Sequence, residues 1–210
     1  MRLLVENLQL IRNERRLFDG LNFVLHDGDS LVLTGANGTG KSSLLRALAG
    51  LLALSGGEIS FYLDAAAANP GEASLAEHCH FLGMADGLKS ALTAAENLSF
   101  WGKMLAASGS AEPIAPKTAL AQLNLEGLQH TPVAFLSAGQ RRRVALARLL
   151  IIKRPIWLLD EPTNALDSAS QALFSQLCAS HLATGGIVIA ASHLDLALPN
   201  ARSLNLDSTS

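Results

Sequence analysis

Apolar and polar positions alternate along the start of the chain. The alternation runs through residues 3–10, where Leu3, Val5, Leu8 and Leu10 are the apolar members, breaks at the charged turn of residues 12–16, and resumes over residues 22–25. A period of two is typical of half-buried strands. We therefore expect an antiparallel arrangement of strands at the start of the fold.

A strand, a glycine-rich loop and a helix are predicted next. Residues 30–34 form a short apolar run before the glycines, and Leu44, Leu45, Leu48 and Leu52 then recur at helical spacing. This order predicts a buried strand that leads through a loop into a helix. Residues 59–63 predict an edge strand, and residues 64–74, rich in Ala, Asn, Pro and Gly, predict a surface loop.

The middle of the chain predicts a helical lobe. Thr93 is expected to cap a helix through Leu105, and residues 108–116, rich in Ser, Gly and Pro, separate it from another helix. Beyond the lobe, helices are predicted at residues 138–151 and 167–181, with strands at 156–159 and 187–191. Strands that alternate with helices indicate an α/β fold with a mainly parallel sheet.

One domain is expected from residues 1–210. Its core would comprise about residues 1–92 and 153–210, and the inserted helical lobe about residues 93–152. The composition, with 49% hydrophobic and 16% charged residues, is that of a globular protein. The net charge of −2 provides no general attraction to nucleic acid, so none is expected as a partner.

Cysteine spacing and hydropathy exclude further classes. Cys79 and Cys178 match no zinc or disulfide pattern. Glu6 and Asn7 interrupt the apolar start before a secretory signal core forms, and no apolar window reaches the roughly 18 residues of a spanning helix. Any membrane role is therefore expected to be peripheral and to depend on a partner.

The glycine-rich segment predicts a phosphate-binding loop. Residues 35–42 read GANGTGKS, which fits the pattern of two glycines followed by a lysine and a hydroxyl. Backbone N–H groups and a helix N-terminus would surround phosphate oxygens, Lys41 would bridge the terminal phosphates, and Ser42 would ligate magnesium. A glycine-rich helix start is the alternative, but the flanking strand and helix favour nucleotide binding.

Two carboxylates follow the apolar run of residues 156–159. Asp160 and Glu161 would stand at the carboxyl end of a parallel strand, where ligands bind in such sheets. Asp160 is expected to hold magnesium through its water shell, and Glu161 to orient or deprotonate an attacking water. An acidic helix cap before Pro162 is the alternative interpretation.

Three further motifs follow in a characteristic order. Residues 136–140 read LSAGQ, residues 164–167 read NALD, and Ser192 precedes His193. Together with the loop and Asp160–Glu161, they resemble the ATP-binding cassette (ABC) family over nearly the whole chain. The resemblance implies a P-loop ATPase fold with a mainly parallel sheet, an antiparallel β subdomain and an inserted helical lobe.

The resemblance also implies a set of functional residues. Catalytic roles fall to Lys41, Glu161 and His193, and magnesium ligation to Ser42 and Asp160. The implied ATP-binding residues are Gly35, Ala36, Asn37, Gly38, Thr39, Gly40, Lys41, Ser42, Ser43, Ser137, Gly139 and Gln140. Family members bind two ATP molecules between two cassettes arranged head to tail, so a homodimer is implied in which Ser137 and Gly139 meet the phosphate held by the other copy.

Two positions depart from the family pattern. Met84 stands where the family usually has a glutamine that touches magnesium and senses the membrane partner. The usual adenine-stacking aromatic is also absent from the first turn, where Ile11 and Arg12 stand, with Phe18 further on. Arg12 offers a guanidinium plane for stacking, although a solvated turn is the alternative.

Two clusters invite other functions. His78, Cys79 and His80 suggest a metal site, but on a strand only the two histidines would share a face, so a buried strand is preferred. Arg141, Arg142 and Arg143 suggest a nucleic-acid patch. Successive helical residues project about 100° apart and form no single stripe, so a solvated face or docking contact is expected.

Three segments carry a closer resemblance within the family: NERRLFDGLNF at residues 13–23, LSAGQRRRVALARLL at 136–150 and LDEPTNALD at 159–167. On these segments the chain looks most like the ATPase subunit of bacterial cytochrome c maturation systems. This likeness implies a peripheral position at the cytoplasmic face of the inner membrane, a small multispanning partner subunit, and haem-handling maturation proteins. A transport ATPase for another substrate is one alternative. A soluble cassette ATPase acting on ribosomes or DNA is the other, although such proteins usually carry two cassettes or a long coiled-coil insertion.

Overall fold

The chain forms two compact units in the computed structural model, which describes residues 1–64, 73–106 and 112–208. The first unit comprises Met1–Phe81, Pro155–Glu161 and Cys178–Ser210. The second comprises Leu82–Arg154 and Pro162–Leu177. Residues 65–72 of the predicted loop at 64–74 and residues 108–111 of the predicted loop at 108–116 lie outside the described residues, and residues 112–115 form neither helix nor strand, as predicted.

The described residues contain eight strands in two sheets. They are β1 (Arg2–Arg12), β2 (Arg15–His26), β3 (Ser30–Thr34), β4 (Gly56–Tyr62), β5 (Cys79–Leu82), β6 (Ile156–Asp160), β7 (Ile187–Ala191) and β8 (Ala201–Asn205). One sheet has the order β2-β1-β4, and the other has the order β5-β6-β7-β3-β8.

The three-stranded sheet confirms the predicted antiparallel start. β1 pairs with both β2 and β4 in antiparallel register. Asn13 and Glu14 connect β1 to β2 with φ angles of 48° and 62°. Two successive left-handed residues make a turn whose twist matches a hairpin. β4 lies at the sheet edge, as predicted for residues 59–63, but it begins earlier, at Gly56.

The five-stranded sheet confirms the predicted parallel arrangement. β3 pairs in parallel with β7 and with β8, and β6 pairs in parallel with β7. Every residue of β6 and β7 is buried, as expected for strands that are covered on both faces. β8 was not predicted, because its residues are mostly exposed and show no apolar run.

Six α-helices occur in the described residues. They are α1 (Lys41–Leu48), α2 (Leu75–His78), α3 (Ala94–Ala106), α4 (Pro116–Ala121), α5 (Ala138–Ile151) and α6 (Ser168–Ala183). α1 ends before Leu52, contrary to prediction, because the chain turns at Gly50 with a left-handed φ of 71°. Thr93 caps α3 as predicted, since its hydroxyl accepts the Glu96 N–H and its own N–H donates to the Glu96 carboxylate. Throughout the described parts, every helix is too short or too polar to cross a membrane.

The core of the first unit gathers apolar side chains from both sheets and α1. Phe18 and Phe61 are its largest fully buried members, and Leu44 and Leu45 bring the helix into it. Cys178 is also buried, and burial raises the pKa of its thiol. Its thiol therefore stays protonated at neutral pH, in keeping with a structural cysteine.

Candidate nucleotide-binding site and signature helix

The predicted phosphate loop connects β3 to α1 in the first unit. Gly35, Gly38 and Gly40 have φ angles of 133°, 86° and 102°, which side chains rarely adopt. A Cβ atom at Gly40 would lie 2.6 Å from Cζ of Phe18, whereas one at Gly38 would meet no atom within 4 Å. The loop is therefore packed on the core at Gly40 and open at Gly38, as a cradle for an anion requires.

The polar side chains of the loop converge on its backbone and on β6. Lys41 is buried, and its Nζ donates to the carbonyl oxygens of Gly35 at 2.7 Å and Ala36 at 2.9 Å. The Ser42 hydroxyl donates to Oδ1 of Asp160 at 3.0 Å. A buried ammonium and a paired hydroxyl and carboxylate therefore lie beside the loop.

Glu161 and His193 meet beside the same loop. Oε1 of Glu161 lies 3.5 Å from Nε2 of His193, and this nitrogen lies 3.0 Å from Oδ1 of Asn37. Glu161 has a left-handed φ of 47°, and its N–H donates to the carbonyl of Ala191 on β7 at 2.9 Å. The structure thus brings together in one unit the loop, the two carboxylates and the histidine that the sequence singled out.

One residue at this site escaped the sequence analysis. Asp207 lies in a 3₁₀ turn after β8, and its Oδ1 accepts the N–H of Ala36 at 2.9 Å. Because β8 went unpredicted and Asp207 lies in no motif, no local signal pointed to this contact.

The LSAGQ motif begins helix α5 in the second unit. The Ser137 hydroxyl accepts the Gln140 N–H at 3.2 Å, and Oε1 of Gln140 accepts the Ser137 N–H at 2.9 Å. This reciprocal capping box satisfies donors that a helix start leaves unpaired. A Cβ atom at Gly139 would lie 2.9 Å from the carbonyl oxygen of Ala165, so only glycine allows this close approach of the NALD segment.

Asp167 ends the NALD segment as the cap of α6. Its Oδ1 accepts the Ser170 N–H at 2.8 Å. The hydrogen bonds from Ser170 lower the pKa of Asp167. The carboxylate therefore stays ionised at the helix start, where the helix dipole favours negative charge.

Arg142 corrects the expectation of a solvated arginine face. Its guanidinium is buried and donates to the carbonyls of Pro162 and Gly83, both at 3.0 Å, and to the Asp86 carboxylate at 3.1 Å. The prediction was wrong for this residue because helix periodicity does not reveal distant carbonyls that can pair with a buried charge. Arg142 therefore joins α5 to the segments around residues 83–86 and 162.

Arg142→Met is expected to lower the free energy of unfolding by about 2–3 kcal/mol, because it leaves several acceptors without their charged donor. At about 2–4 °C for each kcal/mol, the unfolding temperature should fall by about 4–12 °C in a thermal scan. Arg141→Met is the matched control, since Arg141 lies on the same helix and donates to the Leu136 carbonyl at 2.6 Å. Equal destabilisation by both variants would contradict the special role of Arg142.

A second arginine packs on the same segment of the second unit. Arg148 donates to the Asp86 carbonyl at 2.7 Å, and its guanidinium carbon lies 3.6 Å from the ring centre of Trp101. Burial lowers the pKa of Arg148 to about 10, and the charge of Arg142 adds to this effect while Asp86 opposes it. Stacking on Trp101 compensates in part for the lost hydration.

The remaining predicted features are placed as follows. Met84, at the position of the usual glutamine, is 63% exposed. Phe18 is fully buried, so its ring offers no surface for an adenine base, whereas Ile11 is half exposed. His78 ends α2 rather than continuing a strand, so the predicted strand begins at Cys79. In the described ranges, no group of three or more His, Cys, Asp or Glu side chains is arranged to hold a metal ion.

Comparison with known proteins places this geometry in a family. A family model described as ABC transporter matches residues 18–164. The chain therefore belongs to the ABC transporter family, and it is an ABC-type ATPase whose nucleotide is ATP. The predicted α/β fold with a parallel sheet, an antiparallel sheet and helices is also confirmed.

The curated relatives are more specific. The chain is 48% identical over 206 residues to the "Cytochrome c biogenesis ATP-binding export protein CcmA" of Nitrobacter winogradskyi, which covers 98% of each chain. It is 50% identical over 188 residues to the protein of that name from Bradyrhizobium diazoefficiens, covering 90% of each chain. The predicted likeness to cytochrome c maturation ATPases is thereby confirmed.

Solved structures agree on the fold. A putative ABC transporter ATP-binding protein from Pyrococcus furiosus has a TM-score of 0.81 at 22% identity, with complete coverage of both chains. The ADP conformation of MJ1267, an ATP-binding cassette of an ABC transporter, has a TM-score of 0.72 at 22% identity and covers 93% of this chain and 83% of its own.

Proposed function

We propose that this ATPase is the ATP-hydrolysing subunit of a membrane complex in c-type cytochrome biogenesis, where it powers haem handling and the release of a haem-loaded chaperone. The observation that carries the proposal is the 48% identity over 98% of the chain to a cytochrome c biogenesis ATP-binding export protein. Such a likeness includes both compact units. Residues 1–210 then act as one ATPase domain, with a core of about residues 1–92 and 153–210 and a helical lobe of about 93–152.

The phosphate loop is assigned the binding of ATP. The open backbone at Gly38 and the start of α1 at Lys41 support this role, since N–H groups at a helix start bind phosphate oxygens. Nζ of Lys41 donates to two loop carbonyls, and on ATP binding its N–H groups would donate to the phosphate oxygens instead. The residues assigned to ATP on this side are Gly35, Ala36, Asn37, Gly38, Thr39, Gly40, Lys41, Ser42 and Ser43.

Ser42 and Asp160 fit the binding of Mg²⁺. Their oxygens lie 3.0 Å apart beside the loop, and magnesium prefers hydroxyl, carboxylate and water oxygens. Ser42 would bind the ion directly and Asp160 through its water shell. Bound Mg²⁺ would neutralise charge on the phosphate oxygens.

Glu161 is assigned the activation of water. Its backbone is anchored to β7, so its position does not depend on a flexible loop. A carboxylate held in this way can orient a water and accept its proton. His193 contacts both Glu161 and Asn37. Its imidazole would hydrogen-bond the terminal phosphate and fix the position of the Glu161 carboxylate relative to it.

Two copies of the chain are proposed to close on two ATP molecules. Ser137, Gly139 and Gln140 of one copy would contact the terminal phosphate held by Lys41 of the other. The capping box supports this role, because it fixes the Ser137 side chain while its hydroxyl hydrogen remains able to donate. Hydrolysis would remove the phosphate that joins the copies, and the dimer would open.

The membrane side of the proposal is carried by relatives that are named as export proteins. We place the chain at the cytoplasmic face of the bacterial inner membrane as a peripheral subunit. Its partners would be a small multispanning subunit and haem-handling maturation proteins.

Gentle capture from native membranes tests this function. A tagged full chain would be purified from detergent-solubilised membranes beside an untagged control, its partners identified, and the haem absorbance of the eluate recorded. We expect one small multispanning subunit together with haem-handling proteins. An unrelated permease without haem would contradict the role in cytochrome biogenesis, and ribosomes or DNA-processing proteins would contradict the membrane role.

A further inference from the structure

The turn after β8 places a carboxylate on the phosphate loop. Oδ1 of Asp207 accepts the Ala36 N–H at 2.9 Å. The same carboxylate lies beside Gly35, where a Cβ atom would be 3.2 Å from Oδ1. A side chain from outside the loop therefore holds Ala36 and lies beside Gly35.

The sheet explains why this carboxylate arrives there. β8 runs parallel to β3, and Asn205 is paired with Thr34. Both strands end at the same edge of the sheet, so β3 leads into the loop while β8 leads into the turn that carries Asp207.

The turn itself is anchored. Leu206 is fully buried in the core of the first unit. The Asp207 N–H donates to Oδ1 of Asn205 at 2.9 Å. Because Leu206 is buried and Asn205 accepts the Asp207 N–H, the backbone that carries the Asp207 carboxylate is held in place.

Ala36 links Asp207 to Lys41. Its carbonyl accepts Lys41 Nζ at 2.9 Å and the Thr39 hydroxyl at 3.0 Å, while its N–H is bound by Asp207. If Lys41 turned to a phosphate, the Ala36 carbonyl would lose a charged donor. The hydrogen bond from the Ala36 N–H to Asp207 involves neither Lys41 nor that carbonyl, so it would still hold the start of the loop.

We infer that Asp207 is a positioning residue for the phosphate loop, which acts by accepting the Ala36 N–H and thereby holds the loop open for the phosphates of ATP. This role rests on the proposed function only in that the loop binds ATP. The acceptor oxygen, and not the negative charge, performs it, since a charge beside phosphates would by itself repel them.

Three variants and one control test the inference in the purified full chain. Asp207→Ala removes the acceptor, Asp207→Asn keeps an acceptor oxygen without the charge, and Asn205→Ala removes the anchor of the turn. Asn22→Ala is the control, because Oδ1 of Asn22 likewise accepts a backbone N–H, that of Asn7 at 2.8 Å. Asn22 lies on β2 in the three-stranded sheet, which contains neither β3 nor β8.

Equilibrium binding of a fluorescent ATP analogue and steady-state hydrolysis provide the readouts. Asp207→Ala is expected to raise the Kd about tenfold, because the Ala36 N–H loses its acceptor, and to leave kcat at saturating ATP within about twofold. Asn205→Ala should raise the Kd in the same direction, and Asp207→Asn should restore most of the affinity. Asn22→Ala should bind like the wild type.

Several outcomes would overturn the inference. Unchanged ATP affinity in Asp207→Ala contradicts the role of Asp207 alone and leaves the proposed function standing. Equal loss in Asp207→Asn and Asp207→Ala contradicts the acceptor mechanism. Absence of ATP binding by the wild type contradicts both this inference and the proposed function.

Discussion

Glu161→Gln is expected to lower the rate of ATP hydrolysis about a hundredfold to ten-thousandfold, the usual contribution of a positioned general base. The amide keeps the size of the side chain but accepts no proton from water. ATP binding should persist, since the phosphate loop is untouched. Phosphate release by the captured complex measures the rate, and size-exclusion chromatography with ATP should show a trapped dimer.

Glu58→Gln is the matched control for this variant. Glu58 lies on β4, exposed and outside the phosphate loop, and should hydrolyse ATP like the wild type. Wild-type turnover by Glu161→Gln would remove Glu161 from the role of general base.

His193→Ala is expected to abolish turnover, with a loss of about a hundredfold or more in kcat. The imidazole lies 3.5 Å from the Glu161 carboxylate and 3.0 Å from Asn37, so its removal breaks both of these contacts. Hydrolysis by purified complexes measures the effect. His130→Ala, at an exposed histidine of the second unit, controls for the loss of a histidine as such.

A double variant tests whether Glu161 and His193 act together or independently in ATP hydrolysis. If Glu161 and His193 act as a unit, Glu161→Gln combined with His193→Ala should lose about as much activity as the more severe single variant. Losses that multiply would show that the two side chains act independently, and would contradict the contact-based role of His193.

The parts of the site that the sequence predicted are those where a local pattern and its chemistry coincide. The phosphate loop lies between a recognisable strand and helix, and Asp160 ends an apolar run. The capping pattern at Thr93 likewise involves residues three positions apart, so it is visible in the sequence. In each case the residues that interact, or the elements that position them, are neighbours along the chain.

The parts that escaped prediction depend on distant pairing. Ala36 and Asp207 are 171 positions apart, and β8 has no apolar pattern because it is an exposed edge strand. Arg142 belongs to a run of three arginines, a pattern that predicts exposure to solvent. Its side chain is nevertheless buried, because carbonyl and carboxylate acceptors as far as 59 positions away pair with the guanidinium. Tertiary contacts thus decide the positions where local propensity is neutral or misleading.

At position 161 the requirements of stability and of catalysis differ, because the left-handed backbone favours glycine whereas the proposed chemistry needs the Glu161 carboxylate. A non-glycine residue in this conformation is destabilising by about 1–2 kcal/mol, and glycine would adopt the φ of 47° without that penalty. A library of this protein that is selected only for stability should therefore enrich glycine at position 161 and lose the carboxylate. Stabilising the fold without loss of turnover requires that position 161 be kept fixed while other positions vary.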